Sequence, residues 1–128
     1  MIYLDTSVAL AHLLAEDRCP PPSLWDEDLF SSRLFEFEIW TRIHARGLTA
    51  THSEAARQLL ERVAFIEMTP AVLSRALEPF PASVRTLDAL HLASAVFLRT
   101  HGEGVKIASY DDRLVSVARH LEFQIAEV

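Results

Sequence analysis

The chain has 128 residues, half of them hydrophobic, and a net charge of −6. That length suits a single domain with one substantial core, read over residues 1–128, and no apolar run reaches the roughly 18 residues of a membrane span. The acidic balance argues against a general nucleic-acid-binding surface, and a lone cysteine, Cys19, excludes an intrachain disulfide and a cysteine zinc cluster.

The N-terminal run Ile2-Tyr3-Leu4 is rich in strand formers and stops at Asp5-Thr6-Ser7. Met1 to Asp5 carries no basic leader, so a cytoplasmic location is expected. Val8 to Leu14 has helical character, which puts Asp5 at the carboxyl end of a strand, the edge where open α/β sheets bind ligands. Ser7 suits either a helix cap or a brace for a carboxylate, with the cap the simpler reading. Three prolines, Pro20 to Pro22, make a loop, and Leu24-Trp25 starts a short helical turn.

Leu29-Phe30-Ser31-Ser32 reads as the second strand, and a helix is expected from Arg33 to Arg46 with Gly47 as its left-handed stop. Glu38 falls on the partly apolar face of that helix, either as a site carboxylate or as a surface partner of Arg42; Glu36, further round, is read as solvated. Thr51-His52-Ser53-Glu54 matches a capping box, followed by a core face of Ala55, Leu59, Leu60, Val63 and Ala64. Phe65-Ile66-Glu67-Met68 is a candidate strand, and Thr69-Pro70 supplies the cap and first residue of another helix.

From Leu87 to Leu98 the only charge-capable side chains are Asp88 and His91, so a helix here is buried on most sides. With Thr86 as its cap, Asp88 lies in the first turn, where the dipole favours an anion. A packing or hydrogen-bonding role is expected for His91. Val105 to Ala108 reads as a strand ending at Ser109-Tyr110-Asp111-Asp112, so Asp111 repeats the position of Asp5. An amphipathic helix with Leu114, Val115, Val117, Ala118 and Leu121 inward follows, and Phe123-Gln124-Ile125 closes the chain as a strand. Strand and helix alternate, which indicates a mainly parallel sheet.

Asp5 and Asp111 follow strands, while Glu38 and Asp88 lie near the starts of helices expected on the same sheet. Clustered carboxylates repel one another unless protonated or neutralised, and an all-oxygen set suits Mg2+ or Mn2+. Eleven of the twelve basic residues are Arg, which suits bidentate contact with phosphate, although a general preference for Arg accounts for that composition more simply.

At these residues the sequence resembles the PIN-domain ribonucleases, above all the VapC-type toxins of toxin–antitoxin pairs. Ile2-Tyr3-Leu4-Asp5-Thr6-Ser7 is similar to the family's first strand and acid. Ser31 to Glu38 followed by Arg42 is similar to its second motif, Leu87-Asp88-Ala89-Leu90-His91-Leu92-Ala93 to its third, and Ser109-Tyr110-Asp111-Asp112-Arg113-Leu114 to its fourth. In the turn before the last strand, Leu121-Glu122-Phe123 stands where the family usually has Gly. The resemblance implies a three-layer α/β/α domain with a mainly parallel central sheet. It further implies Mg2+- or Mn2+-dependent RNA cleavage at Asp5, Glu38, Asp88 and Asp111, with Ser7 and Ser109 in support. A cognate antitoxin and a homodimer are implied as partners, and Arg33, Arg42, Arg85 and Arg113, nearest the acids in sequence, are the candidates for the RNA backbone. Two other readings compete. One is a catalytically silent PIN-like scaffold; the other is a phospho-acceptor receiver domain, which shares only Asp5 and lacks a Lys after a late strand. An aspartyl-nucleophile phosphatase would need a second Asp where Ser7 stands.

Overall fold

Side-chain alternation along the first strand sets the layering. In the computed structural model, which describes all 128 residues, β1 (Ile2–Leu4) is buried on both faces. Ile2 and Leu4 point into one core and Tyr3 into the other. The first core is filled by Val8 of α1 (Thr6–Leu13), by Phe35, Ile39 and Ile43 of α2 (Arg33–Ala45), and by Ala56 and Leu59 of α3 (Thr49–Glu61). The second takes Val72 of α4 (Pro70–Leu77), Leu92, Ala93, Ala95 and Leu98 of α5 (Thr86–His101), and Leu114, Val117 and Ala118 of α6 (Asp112–His120). The result is three layers, α/β/α, as the family resemblance implied.

The sheet is parallel throughout, in the order β3-β2-β1-β4-β5, with β2 at Leu29–Ser32, β3 at Val63–Ile66, β4 at Lys106–Ala108 and β5 at Gln124–Ile125. The chain builds outward from β1 through β2 and β3, then crosses to the other side of β1 to lay down β4 and β5. Such a reversal opens a crevice at the carboxyl ends of the two strands where it happens, here β1 and β4.

Several local expectations shift. Gly47 does stop α2 with φ +67, but α3 starts at Thr49 with Leu48 as cap, so Thr51 to Glu54 is no capping box. Thr51 instead donates both its N–H and its hydroxyl back to the Leu48 carbonyl. Ala55 is exposed and Ala56 takes its place in the core. β3 begins at Val63, ahead of the expected Phe65, because Val63 to Ile66 pairs in register with Leu29 to Ser32. Arg85, rather than Thr86, occupies the cap position of α5, which still leaves Asp88 in the first turn. No helix is long and apolar enough to cross a membrane.

Candidate active site

Asp5 is the first residue beyond β1 and stands at the N-cap of α1, yet its carboxylate makes no capping bond. Oδ2 instead accepts the hydroxyls of Ser7 at 2.6 Å and Ser109 at 2.8 Å. Each hydroxyl in turn accepts a backbone N–H of the β4–α6 loop, Ser7 from Tyr110 at 2.9 Å and Ser109 from Asp111 at 3.0 Å. The Asp5 N–H also donates to the Ala108 carbonyl at 2.9 Å. Ser7 is therefore a brace and not a cap, and the two strand ends are stitched together around a carboxylate only 6% exposed. A buried carboxylate with two hydroxyl donors has its desolvation compensated on one oxygen.

Glu38 lies in the second turn of α2, whose start is capped by Ser32 accepting the Leu34 N–H at 3.1 Å. Its expected alternative partner, Arg42, does not take it. Oε1 accepts Thr6 Oγ1 at 2.9 Å and faces His91 Nε2 at 2.5 Å. His91 is 2% exposed, and its Nδ1 is 2.8 Å from the Tyr3 hydroxyl, which accepts the Ser32 N–H at 3.1 Å. Burial drives the Tyr3 phenol far above its ordinary range, so it stays protonated; beside a neutral imidazole it donates to Nδ1 and leaves the Nε2 proton aimed at Glu38. Burial disfavours the His91 imidazolium, but the hydrogen bond and field of Glu38, with Asp5 and Asp88 behind, carry its pKa above the ordinary value. His91 is the hydrogen-bonding histidine expected of the sequence. Its link to Glu38 was not foreseen: the spacing from Asp88 was visible, but Tyr3 and Thr6 sit on elements whose approach no local pattern reveals.

Asp88 and Asp111 face each other across the guanidinium of Arg85. Nε donates to Asp88 Oδ2 at 3.0 Å and Nη2 to Asp111 Oδ2 at 3.2 Å. Asp88, with Asp111 beyond it, raises the Arg85 pKa further. Asp111 has a second task as the N-cap of α6, where Oδ1 accepts the N–H groups of Arg113 at 3.0 Å and Leu114 at 3.3 Å.

All four acids line one cleft of about 650 Å3, with Ser7, His91, Arg42 and Arg85 among its other walls. Arg113 lies in a smaller adjoining depression with Arg85 and Asp88. Arg33 does not line the cleft: it is held by Glu67 and Glu36 and stacks on Phe65. Glu36 is thus spent in a surface ion pair, as read from its position on the helix. As they stand, no three acidic or histidine side chains are gathered closely enough to hold a metal ion. The donor set nonetheless suits a hard divalent cation, being all carboxylate oxygen, and a cationic group already sits between two of its members. Release of Arg85 from Asp88 and Asp111 would free those oxygens for a cation.

A family model described as "PIN domain" matches residues 2–120. The chain is 33% identical, over 133 aligned positions, to a protein described as Ribonuclease VapC47 of Mycobacterium tuberculosis (strain CDC 1551 / Oshkosh); the alignment covers 98% of this chain and 96% of that one. No solved structure gives a significant match.

Proposed function

The chain belongs to the PIN-domain family, and from that premise we propose that it is a VapC-type endoribonuclease toxin acting in the cytoplasm and neutralised by a cognate antitoxin. The observation that carries this reading is the convergence of Asp5, Glu38, Asp88 and Asp111 on one cleft at the carboxyl edge of the sheet. The name of the relative supports RNA as the substrate.

In this reading Asp5, Glu38, Asp88 and Asp111 hold Mg2+ or Mn2+. When bound, the cation supplies charge neutralisation at the scissile phosphate and lowers the pKa of water for in-line attack. The remaining work falls to the chain itself. Ser7 and Ser109 hold Asp5 rigid, the Asp111 cap fixes its carboxylate to α6, and Arg42, Arg85 and Arg113 supply cationic contacts to the RNA backbone that orient it without reading sequence. No proton transfer is assigned to the imidazole, which leaves His91 free for its bond to Glu38.

An antitoxin that inserts its own Arg or Lys among these acids would extend what Arg85 already does within the chain, and inhibition would be cation substitution. Exposed Leu73 and Leu77 beside an apolar groove between α4 and α5 support a protein partner, a second copy or the antitoxin. The silent-scaffold reading is disfavoured because no carboxylate is missing.

The test is cleavage of a mixed-sequence RNA by the purified chain with Mg2+ or Mn2+, with chelator, and with Asp88→Asn. Cleavage confined to the metal-loaded wild type is expected. Cleavage in chelator, yielding cyclic phosphate ends, would mean a ribose-hydroxyl mechanism and overturn the assignment. Metal titrated into the toxin–antitoxin complex tests inhibition: a complex that is inactive while holding metal at full stoichiometry excludes cation substitution.

A further inference from the structure

Apart from the guanidinium of Arg85, which spans Asp88 Oδ2 and Asp111 Oδ2, three of the four carboxylates have one oxygen committed to the protein. Asp5 Oδ2 accepts two serine hydroxyls, Asp111 Oδ1 accepts two backbone N–H groups, and Glu38 Oε1 accepts Thr6 and faces His91. At Glu38 the commitment is elaborate. The Ser32 N–H donates to the Tyr3 oxygen, and with the neutral imidazole protonated on Nε2, the tautomer a carboxylate partner selects, Tyr3 O–H donates to His91 Nδ1 and Nε2–H to Glu38. Ser32 is the cap of α2, so the relay leaves the helix at its start and returns to it at Glu38 in the second turn. Tyr3 and His91 are 1% and 2% exposed. Leucine would fill the buried position of His91 at no cost in desolvation, and every polar atom of the ring is instead spent on the path to Glu38.

We propose that Tyr3 and His91 are positioning residues that, with Thr6, spend one oxygen of Glu38 within the protein and present the other alone to the cleft, thereby setting which cation the site accepts. The proposal rests on the reading of Glu38 as a metal ligand. Mg2+ and Mn2+ take an octahedral set of single oxygens. Ca2+ prefers more ligands and commonly a carboxylate that gives both oxygens, which the relay denies it at Glu38. Asp5 presents one oxygen in the same way, and Asp111 would do so once Arg85 leaves its Oδ2, which adds to the discrimination.

The experiment is calorimetric titration of the full-length, antitoxin-free chain with MnCl2 and with CaCl2. Wild type is expected to bind Mn2+ more tightly than Ca2+. His91→Leu should lose about tenfold or more in Mn2+ affinity and less in Ca2+ affinity, a loss typical of removing a group that orients a ligand. His91→Gln, whose amide N–H can still reach Glu38, should recover most of it. Tyr3→Phe and Thr6→Val, which preserve shape, should each narrow the preference for Mn2+. Wild-type affinities for both ions in Tyr3→Phe and Thr6→Val would overturn the relay, even if His91→Leu failed to fold. A loss in His91→Leu that His91→Gln does not recover would overturn the claim that His91 acts through an N–H to Glu38. Glu38→Gln separates the two levels: wild-type Mn2+ affinity there removes Glu38 from the site, whereas a loss there with none in the relay variants removes only the relay.

Discussion

Replacing Asp88 by Asn removes one negative charge and almost no volume. Its side chain is 15% exposed, in the first turn of α5 and beside a 63% exposed Arg85. The helix dipole favours that charge by about 0.3–1 kcal/mol, and the solvent-screened ion pair with Arg85 adds about 0.2–1 kcal/mol. Relief of repulsion from the neighbouring acids offsets a similar amount, because like charges a few Å apart near a surface interact with energies of that order. The net change in stability should stay within about 1 kcal/mol, or about 4 °C in a domain of this size. Cleavage should behave differently, since a cation held at a phosphate contributes several kcal/mol to the transition state. Losing its ligand should therefore cost about a thousandfold or more in kcat/KM. The two quantities are read side by side, thermal unfolding by calorimetry and cleavage of a quenched fluorescent RNA under saturating Mn2+. A variant that melts within a few degrees of wild type and still turns over at the wild-type rate would refute the role of Asp88.

Arg85→Met should move metal binding the other way, tightening Mn2+ affinity because no guanidinium need leave Asp88 and Asp111, while weakening RNA binding; weaker Mn2+ binding by calorimetry would contradict the displacement argument. Tyr3 makes stability sensitive to alkali. Its folded pKa lies above the ordinary 10.0, so its contribution is intact below that pH and falls as pH rises beyond it, at about 1.4 kcal/mol per pH unit, when the unfolded chain ionises and the folded chain does not. Urea midpoints measured across that range should decline more steeply in wild type than in Tyr3→Phe. Glu122 sits at φ +67, a conformation that costs a non-glycine residue roughly 1–2 kcal/mol. Glu122→Gly should raise stability by up to about 1 kcal/mol after the entropy gained by the unfolded glycine, with cleavage unchanged, and a lower melting temperature would show that the turn is not strained.

Asp5, Asp88 and Asp111 were legible because each stands at the end of a strand or the start of a helix, and local patterns mark those junctions. Glu38 was less so, since a Glu followed four residues later by Arg42 reads equally well as a surface pair. Only the approach of α1 and α5 decides that Oε1 goes to Thr6 and His91. The failures share a cause. The capping box at Thr51 lost to the tight turn after Gly47, and β3 moved because its register is set by β2, which is far away in sequence. Ser7 read as a cap because a hydroxyl near a helix start serves that purpose locally, but Asp5 and the Tyr110 N–H, the latter over a hundred residues away, take it instead. The Gly expected before β5 was a sound guide to backbone geometry even though Glu122 occupies the position.

The hydroxyl bond from Ser109 to Asp5 joins residues 104 positions apart. A ribosome makes Asp5, Glu38 and Asp88 well before it makes β4, and until β4 arrives β1 is an edge strand with one side unpaired and Asp5 has no clasp from Ser109. Growing chains fold as their segments emerge, but contacts between distant segments must wait for the later partner. The cleft is thus assembled only after β4 has been made, so the nascent polypeptide carries three of its four acids for a time without a finished site. An intermediate stalled before Ser109 should bind the RNA around it no better than any other acidic chain of its length.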